Sequence, residues 1–343
     1  MAAKKPRIKW IDTARCYGIL FIYLGHTIDT QNKLFSFLFA FHVPLFFFLS
    51  GCTDNFVGRE GYIKKNFRNI ILPWLFFVIM SLICGILNND VTIDEAIGWW
   101  KIAMRGTIRN QFIGYSLWFL TCLFVVKILF YCIKSFNNIL ILASGVACYL
   151  ISTRCLGHHP ARTPSWFFNI DSALYYFIYY CIGYISLQFI EQLFHNKKVI
   201  TKIIILVTGF LSFVYTALLY WRIDLLNKIL QIEYLGIIAY ITRTLIIIWF
   251  ILLVAKFTED IIVLNNLGKD SLYLCGTEYV IKTCTIKFLE ILGIIVLSDG
   301  GYFTNPLGAC IYVIICLYLT EKIFIPIEKE MLQKIKTLTG LIE

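Results

Sequence analysis

Charged residues are scarce in this sequence. Asp, Glu, Lys and Arg make up 15% of its 343 residues, whereas 59% are hydrophobic. Soluble globular domains carry about 25% charged residues, so the composition excludes an ordinary soluble protein and predicts a polytopic membrane protein. The net charge of +10 lies mainly in short segments between apolar runs, where it indicates membrane topology and not a nucleic-acid partner.

Metal-ligand and disulfide patterns are also missing. The twelve cysteines are scattered, mostly through apolar runs, and form no CxxC or Cys/His spacing, so we expect neither a disulfide framework nor a bound metal. We expect no cleavable signal peptide, because the basic start of the sequence leads into a full-length apolar segment without a small-residue cleavage site. The first apolar segment is therefore expected to remain as a membrane anchor.

What is present is a series of apolar runs, most of them long enough for a helix that crosses the hydrocarbon. They predict an all-α, polytopic transmembrane helical bundle. About ten spans are expected, at 10–29, 33–53, 70–87, 113–133, 138–154, 172–190, 200–221, 235–255, 270–292 and 304–325. With the N-terminus inside, nineteen Lys and Arg fall in inner segments and nine in outer ones, which favours both termini in the cytoplasm. We expect one domain over 1–343, with a membrane core of about 8–325 and a cytoplasmic tail at 326–343.

The first span carries three ionisable side chains, Asp12, Arg15 and His26. Eleven helical steps bring Arg15 and His26 to within about 20° of the same face, about 16 Å apart along the axis. Asp12 precedes Arg15 by three residues, a spacing that predicts an ion pair. Charges inside membranes usually point at a cavity or a partner. The alternative is that Asp12 and Arg15 are paired near the cytoplasmic surface and that His26 reaches the opposite headgroups.

The second span contains His42 and Pro44 in its middle and Ser50 near its cytoplasmic end. A proline in mid-helix removes one backbone hydrogen bond, so it predicts a kink. His42 is either a packed histidine bonded to a neighbouring helix or part of a site, and the sequence leaves both interpretations open.

Three cations precede the third span. Lys64, Lys65 and Arg68 share one helix face at i, i+1 and i+4. Such residues at a cytoplasmic helix end bind anionic lipid headgroups, and they would equally suit the phosphates of a nucleotide-like cofactor.

Taken together, these motifs resemble the acyltransferase-3 family of integral membrane acyltransferases, which in bacteria typically O-acetylate cell-surface glycans. The resemblance is carried by Asp12, Arg15 and His26 in a D-x-x-R-x10-H pattern, by FHVPLFFFLSG at 41–51, and by the K-K-x-x-R segment at 64–68. It covers about residues 8 to 325.

Later segments resemble the family more loosely, with SLWFL at 116–120 and LGKDSLYLCGTE at 267–278. Two residues depart from its pattern. Glu278 stands where the family often has a histidine, which puts acceptor recognition or the partner of the catalytic base in doubt. Lys65 stands where an arginine is frequent, which keeps the charge but loses a bidentate fork.

The resemblance implies a multi-pass protein of the bacterial inner (plasma) membrane. Its expected reaction moves an acyl group, most readily acetyl, from cytoplasmic acetyl-CoA to a hydroxyl of a cell-surface polysaccharide or lipid-linked glycan. A neutral imidazole can accept the hydroxyl proton near neutral pH, which makes His26 the expected general base. The candidate residues are His26, Arg15, Asp12 and Glu278 for catalysis; Arg15, Lys64, Lys65, Arg68 and Ser50 for acyl-CoA; and His42, Trp118, Asp171 and Arg243 for the acceptor.

Other interpretations stay open at this point. The intramembrane charges, with Glu278 and Lys282 at i, i+4, can also line the path of a transporter or flippase, although no repeat supports one. A non-catalytic assembly subunit is a third interpretation. Asp171 has an ordinary explanation at a helix N-terminus, and Glu278 and Lys282 have one in a structural ion pair. Arg243 needs a partner, an inward cavity or both. Direct transfer is favoured over an acyl-enzyme at Ser50 or Cys52, and the sequence leaves the acyl group, the acceptor and any homo-oligomer undecided.

Overall fold

The fold is helical throughout the part of the chain that the structure, a computed structural model, describes: residues 7–54, 59–106, 116–161, 163–221, 235–293 and 303–338. Within these ranges it has no named β-strand. The helices are α1 Lys9–Gly25, α2 Lys33–Leu38, α3 His42–Cys52, α4 Arg59–Asn66, α5 Leu72–Leu87, α6 Ile93–Met104, α7 Trp118–Ile133, α8 Asn138–Arg154, α9 Ile170–His195, α10 Val199–Trp221, α11 Leu235–Phe257, α12 Ile262–Lys269, α13 Ser271–Gly276, α14 Glu278–Ile291, α15 Pro306–Leu319 and α16 Ile325–Leu338.

Every predicted span contains helix among the described residues, which confirms the all-α fold class. Among the described residues, six helical segments are long and apolar enough to cross a bilayer: Lys33–Cys52, Gly61–Leu87, Phe167–His195, Val199–Trp221, Ile238–Phe257 and Pro306–Leu338. Two further apolar helices, α7 and α8, have 16 and 17 residues, and α1 has 17. The total of ten spans and their orientation remain predictions.

The second span is interrupted rather than kinked. Helix α2 ends at Leu38, and α3 begins at His42 after a turn. Pro44 therefore lies in the first turn of α3, where its missing N–H removes no helical hydrogen bond. The mid-span kink predicted at Pro44 is wrong, because the chain stops one helix and starts another just before the proline.

The third span begins earlier than predicted. Helix α4 runs through a π-helical turn, Phe67–Ile71, directly into α5. Pro73, at the start of α5, cannot donate to the carbonyl four residues back, and the turn before it is widened accordingly. The basic residues of α4 and of this turn thus lie on the same continuous helix as the span, and not in a loop ahead of it.

The described chain divides into two compact units, each assembled from separate segments. The first comprises residues 1–49, 186–271 and 297–313, and the second comprises 50–185, 272–296 and 314–343. In the first unit, α1 packs against α11 and α12. The approach of α1 to α12 is close, because a Cβ atom on Gly268 would lie 1.7 Å from the carbonyl oxygen of Asp12.

We expect the substitution Gly268→Ala to lower the free energy of unfolding by about 1–3 kcal/mol or more, because a methyl group here must push two backbones apart. Thermal unfolding of the purified protein in detergent measures the change. Gly98→Ala is the matched control, since a Cβ at Gly98 in α6 meets no atom within 4 Å and alanine favours a helix by about 1 kcal/mol. Equal melting temperatures for the two variants would contradict the close α1–α12 packing.

In the second unit, the C-terminal end of α3 is fixed against α9. A Cβ on Gly51 would lie 2.1 Å from the carbonyl oxygen of Tyr180, so only glycine allows this approach. The buried thiol of Cys52 donates to the carbonyl of Gly183 at 3.2 Å. This thiol is thus held by the backbone of α9, which argues against its use as a nucleophile.

Candidate active site

The first helix carries a buried carboxylate that two guanidinium groups neutralise. Asp12 is 2% exposed, and Arg15 approaches its Oδ1 at 3.3 Å, which confirms the predicted ion pair. Arg7 supplies a second partner that the spacing did not reveal, with Nε at 2.9 Å and Nη2 at 2.8 Å from the two carboxylate oxygens. The hydrogen bond to Asp12 raises the pKa of Arg7. The carboxylate is therefore engaged structurally, and it holds Arg15 in place on α1.

His26 comes directly after the last residue of α1. Its N–H bonds to the carbonyl of Ile22 at 2.9 Å, so the helical hydrogen-bond pattern continues as far as this residue, and the alignment of its side chain with that of Arg15 stays a prediction. The imidazole lies 5.8 Å from the ring of Phe39 and 6.5 Å from the imidazole of His42, measured between ring centroids. The structure thus brings together two histidines from consecutive spans.

His42 is buried at the start of α3. Its Nδ1 donates to the carbonyl oxygen of Leu38 at 2.7 Å, across the break between α2 and α3. Its ring also contacts Phe39 at a centroid distance of 4.7 Å. The side chain is therefore packed, as one of the two interpretations predicted, and this hydrogen bond goes to the preceding turn of its own span.

The basic segment presents cations at the surface of the second unit. Lys64 is exposed on α4, whereas Lys65 and Arg68 are half-buried. Ser50 is half-buried near the end of α3, and its carbonyl accepts a hydrogen bond from the Thr53 hydroxyl at 3.5 Å. Exposed and half-buried cations on adjacent helical turns can bind phosphate groups from solution.

A buried polar cluster next to this segment escaped the sequence analysis. Asp54, just beyond α3, accepts hydrogen bonds from the hydroxyls of Tyr62 on α4, at 2.6 Å, and Tyr180 on α9. Lys127 on α7 lies 3.3 Å from both Asp54 Oδ1 and the Tyr180 hydroxyl. We call these four residues the Asp54 cluster. One sequence signal was present, because a lysine within an apolar run such as that of α7 must find a partner.

The late candidate residues lie in well-packed surroundings of the second unit. Glu278 is 1% exposed, and Lys282 pairs with it at 2.8 Å, which confirms the predicted i, i+4 pair. Trp118 is buried at the start of α7, with its ring 6.1 Å from that of Tyr176. Their proposed parts in catalysis and acceptor binding remain predictions.

Asp171 is fully buried in the first turn of α9. Its carboxylate accepts hydrogen bonds from the backbone N–H groups of Ser165, Trp166 and Ser172 at 2.7, 3.3 and 2.9 Å. His158 approaches it at 2.8 Å. These contacts tie the preceding loop to the helix terminus, and they favour the structural interpretation of Asp171 over acceptor binding.

Arg243 lies in α11 of the first unit, 5% exposed. Its guanidinium stacks over the ring of Tyr240 at 4.6 Å. Among the described residues, no group of three or more His, Cys, Asp or Glu side chains is arranged to hold a metal ion.

A family model described as an acyltransferase domain matches residues 8–320. The comparison with curated proteins found no match, and neither did the comparison with solved structures. The matched segment contains every candidate site residue, in both compact units.

Proposed function

The chain belongs to the acyltransferase-3 family, and from that premise we propose that this membrane acyltransferase takes a small acyl group, acetyl in the first place, from cytoplasmic acyl-CoA. The acceptor is a hydroxyl of a cell-surface glycan or glycolipid, and the enzyme works in the inner membrane of a bacterium. The observation that carries the proposal is the pair of imidazoles, 6.5 Å apart, at the end of a helix whose other end holds a buried ion pair.

The reaction needs a base for the acceptor hydroxyl and a route for the leaving thiolate. His26 takes the hydroxyl proton as the oxygen attacks the thioester carbonyl. The tetrahedral intermediate then collapses, the carbon–sulfur bond breaks, and the coenzyme A thiolate leaves and is reprotonated. The guanidinium of Arg15 has no acceptor atom and cannot serve as the base, so its part is to bind or orient the donor. Direct transfer fits the structure, since Cys52 is engaged by the backbone of α9.

The donor carries phosphates, and the chain offers cations for them on α4 and the following π-helical turn. The distance along the axis of α1 from Arg15 to His26, about 16 Å by helical rise, is comparable to the length of an extended pantetheine arm. An acyl-pantetheine arm that lies along this helix face would present its thioester to His26.

The triple substitution of Lys64, Lys65 and Arg68 by glutamine tests the donor site. We expect the dissociation constant of acetyl-CoA to rise by at least about tenfold, because hydrogen bonds to charged groups contribute about 1.5–3 kcal/mol each before solvent screening reduces them. Equilibrium binding of radiolabelled acetyl-CoA to protein in nanodiscs measures the change, at two salt concentrations.

The matched control replaces Lys197, Lys198 and Lys202 by glutamine, since these three exposed lysines also lie in a predicted cytoplasmic segment. The control is expected to bind acetyl-CoA like the original protein. Saturable binding that survives in the first triple variant would contradict the donor site. Absence of saturable binding of both acetyl-CoA and succinyl-CoA to the original protein would contradict an acyl-CoA donor altogether.

A further inference from the structure

Arg243 is a buried cation with an unused hydrogen-bond donor. Its side chain belongs to a residue that is 5% exposed, nine residues into the 23-residue helix α11. Within the described part of the chain, its Nε–H has no hydrogen-bond partner. Two other cations within predicted spans, Arg15 and Lys282, are both paired with carboxylates.

The surroundings of Arg243 provide some compensation. The ring of Tyr240 lies 4.6 Å from the guanidinium carbon, and cation–π contacts contribute about 0.5–2 kcal/mol. A desolvated guanidinium that has no counter-ion among the described residues costs more than this. A site that keeps such a group, one donor still unfilled, is suited to an anion that is bound only during function.

The position of Arg243 connects it with the two histidines. Its neighbour Thr244 is fully buried, and the Thr244 hydroxyl donates to the carbonyl of Ala40 at 3.3 Å. Ala40 belongs to the turn between α2 and α3, and the adjacent Phe39 ring contacts both His26 and His42. The residue that follows Arg243 in α11 therefore contacts the turn that leads into His42.

We propose that Arg243 binds an anionic group of the acyl acceptor, a carboxylate or a phosphate. The planar guanidinium matches both groups with two parallel hydrogen bonds. The inference rests on the proposed function, which supplies the acceptor, and it narrows that acceptor to an acidic or phosphate-bearing glycan or glycolipid. In the predicted topology α11 enters from the outer side, opposite to the cations that we assign to the donor phosphates, so the anion belongs to the acceptor.

A pair of matched probes tests this assignment. Dodecyl β-D-glucuronide and dodecyl β-D-glucoside share the alkyl chain and the pyranose ring and differ in one carboxylate. Binding of each to the full-length protein in nanodiscs is followed by tryptophan fluorescence, which requires no turnover. We expect the original protein to bind the glucuronide at least about tenfold more tightly, in line with a charge-assisted hydrogen bond, and we expect acyl transfer from acetyl-CoA to show the same preference.

Arg243→Gln is expected to abolish the preference for the glucuronide over the glucoside. Arg243→Lys is expected to retain part of it, because lysine keeps the charge but lacks the two parallel N–H donors of the guanidinium. The lysine variant also covers the case in which the glutamine variant fails to fold. Lys33→Gln, an exposed cation of α2, is the control and should keep the full preference.

Equal affinity of the original protein for the two probes, or a preference that survives Arg243→Gln, would overturn the proposal. If saturating acetyl-CoA competed with the glucuronide for binding, the proposal would also be overturned, since Arg243 would then bind an anionic group of the donor and not of the acceptor. Failure of the proposed function looks different: glucuronide binding would depend on Arg243 as expected, with no acyl transfer to either probe.

Discussion

Replacement of His26 by alanine is expected to lower the turnover of acyl transfer by about 10²–10⁴-fold, the range that a positioned general base contributes. The acceptor hydroxyl would then have to lose its proton to solvent. Donor binding is expected to stay unchanged, because the phosphates are assigned to other residues. Transfer of labelled acetyl groups from acetyl-CoA to an alkyl glycoside, measured in nanodiscs together with acetyl-CoA binding, separates the two quantities.

The control for this experiment is His195→Ala, because the His195 side chain is 69% exposed at the end of α9. Its turnover should match that of the original protein. An unchanged rate in the His26 variant would remove the base from this position. A large loss in His42→Ala with none in His26→Ala would transfer the role to His42.

Replacement of Lys127 by methionine is expected to lower the free energy of unfolding by about 3–5 kcal/mol, because it leaves the Asp54 carboxylate without its cation in a buried setting. The Asp54 side chain is 3% exposed and that of Lys127 13%. Methionine fills a similar volume, so the loss reports the charge and not a cavity. Thermal or denaturant unfolding of the protein in detergent micelles measures it.

The double variant Lys127→Met with Asp54→Asn is expected to recover part of the loss, since asparagine still accepts from Tyr62 and Tyr180 and carries no charge. Lys334→Met is the surface counterpart: this lysine pairs with Glu330 at 2.6 Å, but the two side chains are 70% and 68% exposed. Such exposed pairs contribute less than about 1 kcal/mol. A larger effect at Lys334 than at Lys127 would contradict the buried character of the Asp54 cluster.

The pairs that the sequence predicted correctly lie within one helix. Asp12 with Arg15 and Glu278 with Lys282 are three and four residues apart, and helical geometry alone brings such side chains together. No comparable rule relates Asp54 to Lys127, 73 residues further along the chain, because their approach depends on how helices pack. The helices were predictable for a similar reason, because each apolar run predicts its own helix without any knowledge of how the helices pack.

The interruption in the second span shows where local rules lead to the wrong structure. Pro44 correctly marked a disturbance, but proline disfavours helix only where its N–H is needed. In the first turn of a helix the N–H groups have no partner within the helix, so a break just before Pro44 removes the conflict that a kink would only have reduced. The choice between the two depends on whether the groups released by the break find partners elsewhere.

One such partner is the ring of His42, and this fixes the hydrogen positions of the imidazole. A carbonyl oxygen can only accept, so the bond to Leu38 places a hydrogen on Nδ1. In the neutral ring, Nε2 must then carry the lone pair. Metal-bound and catalytic histidines commonly have their tautomer set by a carboxylate; here the main chain does so. Which ring nitrogen of His42 carries the hydrogen therefore depends on the backbone conformation between α2 and α3. A substitution that joined α2 and α3 into one helix would change this tautomer without replacing His26 or His42.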